Sequence, residues 1–495
     1  MELSTARAAD HRFNIFVLTA FLVVTAIAST QHAMWKDEIQ AFLIARDSAT
    51  PWDIIQHLRL DGHPLLWYLL IWPGARLTWN PETMKPISLA VSTIGLSLFL
   101  WRGPWSRLEK LLWPFGYFVL YEYTVKNRAY CVGAALLMCF CALWPVRRQH
   151  ILAIALVLGL MANVHLYFGI IAIGCIAALA ADRYQHGGWR GLLPESWRDI
   201  AAAFIFLGFA IFAAYVAAPP RSGDFATPHA GDLSSALLAF IQIGAPGTIL
   251  LPHYDSPIVL FIVGVPIGLV LVVMFLFVWL RAARHDAAAL TLFLVPIPIL
   301  VATYMLAYRP SIQHAGVLMF LLIAAEWIRR SDSSASEQPR PLSNLLTSVL
   351  GIHATIGLIL VGIHIMRPAA HGPAVAAYIR AQGWAAQPVA GIGTALTSVC
   401  GYLQAPSCYY AERRRWNSYF PYTGITGPDI FTEGDADADI AQFAAASAAA
   451  GPNVTFVLAQ PWRDDPAAMA RHGFRKVASF TGAPFDNYQL YRKGD

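Results

Sequence analysis

The chain alternates between apolar runs of membrane-spanning length and short polar breaks. These runs recur from Phe13 to Met366, and a helix of roughly 20 apolar residues matches a bilayer core. The pattern predicts about eleven spans, near 13–33, 83–101, 111–127, 129–146, 150–166, 168–182, 199–218, 257–280, 287–307, 312–328 and 343–366. The run at 150–166 and the one at 168–182 are short and share a tight connection. One more apolar stretch, PLLWYLLIWPGARLTW (Pro64 to Trp79), is about 16 residues long and contains Pro73, Gly74 and Arg76. That is short for a span and suits an interfacial or re-entrant helix. No small-x-small cleavage site follows the first run, so it reads as a retained helix.

The pattern changes after Met366. Residues 367–495 hold no run long enough to span. Helical patches (Pro373–Gln382, Ala436–Ala450) alternate with strand-like ones (Val389–Ile392, Val454–Leu458, Lys476–Phe480, Tyr488–Arg492). The expected organisation is a polytopic α-helical membrane domain over 1–366, with a first outer loop at 34–82, and a small C-terminal α/β extracytoplasmic domain over 367–495. SDSSASEQPRPL (331–342) reads as a cytoplasmic linker. There is no internal repeat, and no Walker or GxGxxG fingerprint between a strand and a helix.

Composition fits this pattern. Hydrophobic residues make up 57% and charged residues 13% of the 495, where a soluble protein carries about a quarter charged. Mean hydropathy is +0.50. The net charge of +5 is accounted for by basic loops on one side of the membrane and gives no reason to expect a nucleic-acid partner. Arg7 and Arg12; Arg102, Arg107 and Lys110; Arg147 and Arg148; Arg183, Arg190 and Arg198; Arg281 and Arg284; and Arg329, Arg330 and Arg340 all fall on one side if Pro64–Trp79 does not span. The positive-inside rule then makes the N-terminus cytoplasmic and puts the WKDE loop, the 219–256 loop and the tail outside. Cys131, Cys139, Cys141 and Cys175 lie in apolar runs and read as packing residues. Cys400 and Cys408, in the tail, would pair in an oxidising compartment.

Candidate chemistry gathers on the outer side. In MWKDEIQAF (Met34 to Phe42), Asp37 and Glu38 are adjacent just past the first span. They are either surface acids capping a helix or a general base with a partner carboxylate, tuned by partial burial. DGHP (Asp61 to Pro64) is a turn whose His63 either bonds backbone or meets a phosphate, a proton or a metal. In YEYTVKNRAY (Tyr121 to Tyr130), Glu122 and Lys126 fit an i, i+4 pair, while Arg128 has no local partner and suits a lipid phosphate. In YRPSIQH (Tyr308 to His314), Arg309 and His314 form a second possible phosphate clamp, or Arg309 merely snorkels. Lys85 is similar, and His165 and Tyr167 also fall outside. Carboxylates with separated cations at one interface point to a lipid-linked phosphate.

WKDEIQAF followed by DGHPLLWYLL resembles the first outer loop of the GT-C glycosyltransferases, in the bacterial branch related to protein O-mannosyltransferases and to lipid A aminoarabinose and galacturonic acid transferases. His63, Pro64 and Leu65 match that branch's H-P-P-L with one proline missing. KNRAYCVGAALL and YRPSIQHAGVLMF are similar to its later segments, and the resemblance covers roughly 13–330. It implies inverting transfer of a sugar from a polyprenyl-phosphate donor to a lipid, glycan or protein acceptor, on the outer face of the cytoplasmic membrane. Carried over, Asp37 is the base and Glu38 orients acceptor or donor. His63 lies near the sugar phosphate. Lys85, Arg128 and Arg309 hold the phosphate, with Lys126 and His314 beside them. The family's chemistry implies no cofactor, and no tight His/Cys cluster suggests a metal. In the tail, Tyr409, Tyr410, Arg413, Arg414, Arg415 and Trp416 form an aromatic–basic patch that reads as a glycan or headgroup contact or as a solvated loop. Rival readings are a transporter or lipid flippase, whose charges would line a midplane path, a scaffold without chemistry, and a ligase-like transferase using a diphosphate donor.

Overall fold

The structure, a computed structural model, describes residues 2–218, 231–246, 258–332, 340–421, 454–459 and 466–493. Among them, 8 helices are long and apolar enough to cross a membrane, beginning with Ala9–Gln31 and ending with Arg340–Met366. Tyr130–Val146, Ile151–Ala162 and Leu233–Gly244 are shorter apolar helices. The protein is a multi-pass helical membrane protein. Helix Ile312–Asp332 is enclosed by the others along its apolar window and forms the central post.

Most apolar runs read from the sequence coincide with helices, and 111–127 departs most from a plain one. Pro114 and Gly116 interrupt it, leaving a short helix Arg107–Leu112, a tight turn Trp113–Phe115 and a π-helix Phe118–Val125. There the Lys126 amide reaches back five residues to the Tyr121 carbonyl at 3.0 Å. The 219–256 segment, expected as a loop, contains the helix Leu233–Gly244, capped by Asp232 accepting from the Ser235 amide at 2.8 Å.

The first span, α1 (Glu2–Gln31), leads into three helices, α2 (Lys36–Asp47), α3 (Pro51–Asp61) and α4 (Leu66–Leu77), and then to α5 (Met84–Arg102). Local chemistry sets α3. Thr50 accepts from the Asp53 amide, Asp53 accepts from the Thr50 amide at 2.8 Å, and Pro51 takes the first position. Gly62 ends it in the left-handed region, φ 75°, its amide on the Leu58 carbonyl. With 12 residues, α4 is too short to span. It buries Trp67, Tyr68, Ile71 and Ala75 and leaves Leu70 and Leu77 exposed, the one-sided pattern of a helix lying along an interface.

Beyond Met366 lies a sheet of six strands, β1 (Val389–Ile392), β2 (Cys408–Tyr410), β3 (Arg415–Asn417), β4 (Thr455–Ala459), β5 (Phe474–Phe480) and β6 (Tyr488–Lys493), in the order β3-β2-β1-β4-β6-β5. β1 runs parallel to β2 and β4, and the other pairs are antiparallel. β1, β4, β5 and β6 match the strand-like patches. β2 and β3, three residues each, are too short to show a period. The helical patch Ala436–Ala450 lies outside the described residues. This sheet with its helix Leu396–Leu403 rests on α2. A Cβ at Gly401 would stand 2.3 Å from the Ile39 side chain, so only glycine fits there. Gln40 exchanges hydrogen bonds with the Phe420 backbone at 2.9 and 3.2 Å, and Arg46 donates to the Ala405 carbonyl at 3.2 Å. Cys400 and Cys408 face each other as buried free thiols rather than as the expected disulfide.

Candidate active site

The adjacent acids of WKDE end in opposite surroundings. Successive helix positions are about 100° apart, and the first turn of α2 sends one carboxylate inward and leaves the other at the rim. Glu38 is fully buried. Its oxygens accept from His32 Nε2 at 3.0 Å, from the Trp35 amide at 3.1 Å, from the Asn127 amide at 2.6 Å and from Asn127 Nδ2 at 3.1 Å. Burial alone would push this carboxyl up. The His32 ring and the two amides outweigh it and bring it down to about 2. Glu38 thus pins the first loop to the segment after the π-helix, with no lone pair turned to solvent. Asp37 is 36% exposed, and its Oδ2 stands 3.3 Å from Arg128 Nη1.

His63 owes its place to the D-G-H-P turn. Its Nδ1 donates to Asp61 Oδ2 at 2.9 Å, an oxygen that also accepts from Tyr68 Oη at 2.9 Å. Burial lowers the imidazole's affinity for a proton, and the Asp61 carboxylate, aided by Asp37 and opposed by Arg128, more than reverses this, so His63 sits above its usual range. Asp61 is correspondingly held below the carboxylate range: burial raises it, and His63, Tyr68 and Gln40 outweigh that. The two form an ion pair on a turn whenever His63 holds its proton, with the imidazole ring 40% exposed and Asp61 beneath it.

The cations singled out in the sequence separate into two kinds. Lys126 donates to Glu122 at 2.7 Å and is enclosed by the rings of Trp35, Tyr121 and Phe485, 5.0 to 5.9 Å away. Lys85 is bound to Glu82 and to the His32 carbonyl. Both are committed within the protein. Arg128 differs: it leans on Trp35 and Tyr130, and its Nη1 is buried with no hydrogen-bond partner among the described residues. A guanidinium donor that meets a carboxylate at ion-pair distance without a hydrogen bond to it is a ready anion contact. Arg309 is exposed on the loop before Ile312, with Asp232 as an electrostatic neighbour. His314 is buried, its Nδ1 accepting from the Ser311 amide at 2.9 Å, and it faces the rings of Tyr167 and Tyr308.

Two further groups border Asp37 and Arg128. Tyr308, half-exposed, feels the charges of Asp37, Arg128 and Asp61; burial and Asp37 push its phenol up. His165, whose ring lies 5.9 Å from that of His63, meets Tyr130 Oη at 3.3 Å, and burial pushes it well below the histidine range. It therefore presents a neutral ring to the site. YRPSIQH had marked Arg309 and His314, yet its first residue is the one at the rim. The signal available was an aromatic next to a cation at a helix start. Together the groups form a site with one accessible carboxylate, the Arg128 guanidinium and the His63 imidazole on its flank, and aromatic walls.

Two solved structures share this arrangement of helices and sheet. One is ArnT from Cupriavidus metallidurans bound to undecaprenyl phosphate, with 11% identity and a TM-score of 0.54 over 96% of this chain and 97% of that one. The other is ArnT from the same organism in the apo state, with 12% identity and a TM-score of 0.55 over 98% of both chains. The chain has the ArnT fold. That agrees with the GT-C-like architecture expected from the first outer loop, and the ArnT likeness includes the C-terminal sheet, since it runs nearly end to end. No protein-family model matches the chain, and no curated protein does.

Proposed function

We propose that this protein is a membrane glycosyltransferase that moves a sugar from a polyprenyl-phosphate donor to a lipid, glycan or protein acceptor, with inversion. The observation that carries this reading is the pair of Asp37, an accessible carboxylate, and Arg128, whose Nη1 lacks a hydrogen-bond partner among the described residues. An ArnT structure of the same fold holds undecaprenyl phosphate, which agrees with such a donor. The acceptor hydroxyl or amine gives its proton to Asp37 as its heteroatom attacks the sugar's anomeric carbon. The bond from that carbon to the phosphate oxygen breaks, and the polyprenyl phosphate leaves with both electrons. Arg128 and His63 neutralise the charge that develops on it. Glu38, Lys85 and Lys126 have their polar groups engaged within the protein and serve here by holding the loop, while Tyr308, at the rim beside Asp37 and Arg128, and the exposed Arg309 are assigned to the entering headgroup. The site lies on the outer face of the cytoplasmic membrane, with the N-terminus inside, because the basic loops gather at the other end.

The test is turnover of a panel of radiolabelled polyprenyl-phosphate sugars by the purified protein in detergent, wild type against Asp37→Asn. Loss of turnover with donor binding kept supports the assignment. Equal turnover in both proteins refutes Asp37 as the base.

A further inference from the structure

The loop between β5 and β6 reaches over the start of α2. It is braced from within: Asn487 accepts from the Ala483 amide at 2.9 Å and donates to the Ala483 carbonyl at 2.7 Å. It is braced from outside as well, since the Phe485 amide bonds the Ala369 carbonyl and the His371 amide bonds the Asp486 carbonyl. From this frame two side chains descend. Phe485 packs its ring 4.7 Å from that of Trp35 and forms one wall of the Lys126 cage. Asp486 is buried, and its Oδ2 accepts from the Lys36 amide at 2.9 Å and from Ser398 Oγ at 3.0 Å. Trp35 and Lys36 are the two residues before Asp37, and Trp35 also borders Arg128.

We propose that Asp486 and Phe485 are positioning residues by which the C-terminal sheet sets the Asp37 carboxylate against Arg128. An amide at the first position of a helix has no partner in its own helix, and here the partner comes from 450 positions along the chain. That bond fixes the start of α2, while Phe485 keeps the Trp35 indole between Lys126 and Arg128. A carboxylate at a helix start is free to swing unless its neighbours are held, and a shift of about 1 Å in a reacting group can cost about a hundredfold in rate. Both donors to Asp486 converge on one oxygen, so the geometry calls for an acceptor rather than a full charge. Burial, with Asp37 adding to it and Lys36, its amide and Ser398 opposing, lifts this carboxyl to about 6. Asparagine can therefore take its place.

This inference rests on the reading of Asp37 as the base, so the test has one arm that needs no turnover. In the full-length protein, hydrogen exchange of the peptide 34–42 is compared among wild type, Asp486→Ala and Asp486→Asn. Asp486→Ala is expected to speed exchange about tenfold or more, and Asp486→Asn to stay within about threefold of wild type. In the transfer assay, Asp486→Ala is expected to lower kcat about ten- to a hundredfold with donor KM within about twofold, and Asp486→Asn to restore most of it. Unchanged exchange in Asp486→Ala, or an asparagine variant no better than alanine in both arms, overturns the proposal. Should Asp486→Ala not fold, Phe485→Leu carries the same test, with faster exchange and lower kcat expected; wild-type values in both would overturn it. A wild type inactive on every donor removes the transferase reading alone, because the exchange arm still decides the positioning.

Discussion

Two clusters of carboxylates and arginines lie at opposite ends of the helical part. At the end with the basic loops, Arg330 contacts Glu109 at 2.8 and 2.9 Å and Glu326 at 2.6 Å, and Arg329 forks onto Glu326 at 2.7 and 2.8 Å. Trp279 adds a donor to Glu326 at 3.0 Å. Every one of these acids and bases is buried and multiply bonded. At the other end Arg128 meets Asp37 once, at 3.3 Å, with solvent alongside. The residue types are the same, and the degree of satisfaction differs. Saturated charge holds helices together, because nothing is left over for a ligand. Undersatisfied charge at a rim is what a substrate can complete.

The strongest way to break this contrast is to exchange the expected phenotypes. Asp37→Asn should lower transfer by about 10²- to 10⁴-fold, the range for removal of a general base, while the melting temperature in detergent hardly moves. Glu109→Leu should do the reverse. It leaves Arg330 short of a buried partner and should cost about 3–5 kcal/mol of stability, read by thermal or denaturant unfolding, with the residual folded protein still turning over. Turnover lost in Glu109→Leu at full folding would undo the division into structural and chemical ends.

Glu38 sharpens the contrast inside the WKDE loop. Glu38→Gln places an amide N–H against the Trp35 or Asn127 donors and should cost about 1–3 kcal/mol. Because its carboxyl lies at about 2 when folded, its stabilising effect is full above the ordinary carboxylate range and is lost as pH falls toward 2. The acid limb of an unfolding curve should flatten in this variant. His63 acts with the opposite sign. Its proton is held above the usual histidine range, so the hold on phosphate proposed for it should be complete at low pH and fade as pH rises through the elevated value. Donor affinity should then weaken by up to about tenfold on the alkaline side, and His63→Lys should remove that dependence. The smallest effect is expected at Lys85. Paired to a partly exposed Glu82, Lys85→Met should change stability by about 1 kcal/mol or less and leave donor affinity nearly unchanged.

Much of the architecture was legible in the chain. Apolar runs located most of the helices, the short length of the run holding Pro73, Gly74 and Arg76 marked α4 as no span, and strand-like patches found β1, β4, β5 and β6. What escaped was set by contacts distant in sequence. Asp37 and Glu38 are indistinguishable as neighbours in a string. Their fates part because Asn127, 89 residues on, and His32 claim Glu38. The Glu122–Lys126 pair shows at its i, i+4 spacing, whereas the rings of Trp35 and Phe485 that enclose the lysine come from far along the chain. Leu233–Gly244 was overlooked because an apolar helix of 12 residues is shorter than any spanning window. Tyr308 gave a weak signal because a tyrosine next to a helix start is common at membrane interfaces.

The π-helix Phe118–Val125 has a consequence for how tolerant this region is to changes in length. Its wide turn accommodates one residue more than an α-helix of the same rise would. With that slack already taken up, a further residue inserted there would turn everything after it by about 100°. Lys126 would leave its aromatic cage, Asn127 would lose Glu38, and Arg128 would swing off Asp37. The spacing between Phe118 and Arg128 is therefore held as a ruler. Conservative exchanges of the apolar side chains along it should pass, while a one-residue insertion should silence the site even though every named polar group is still present.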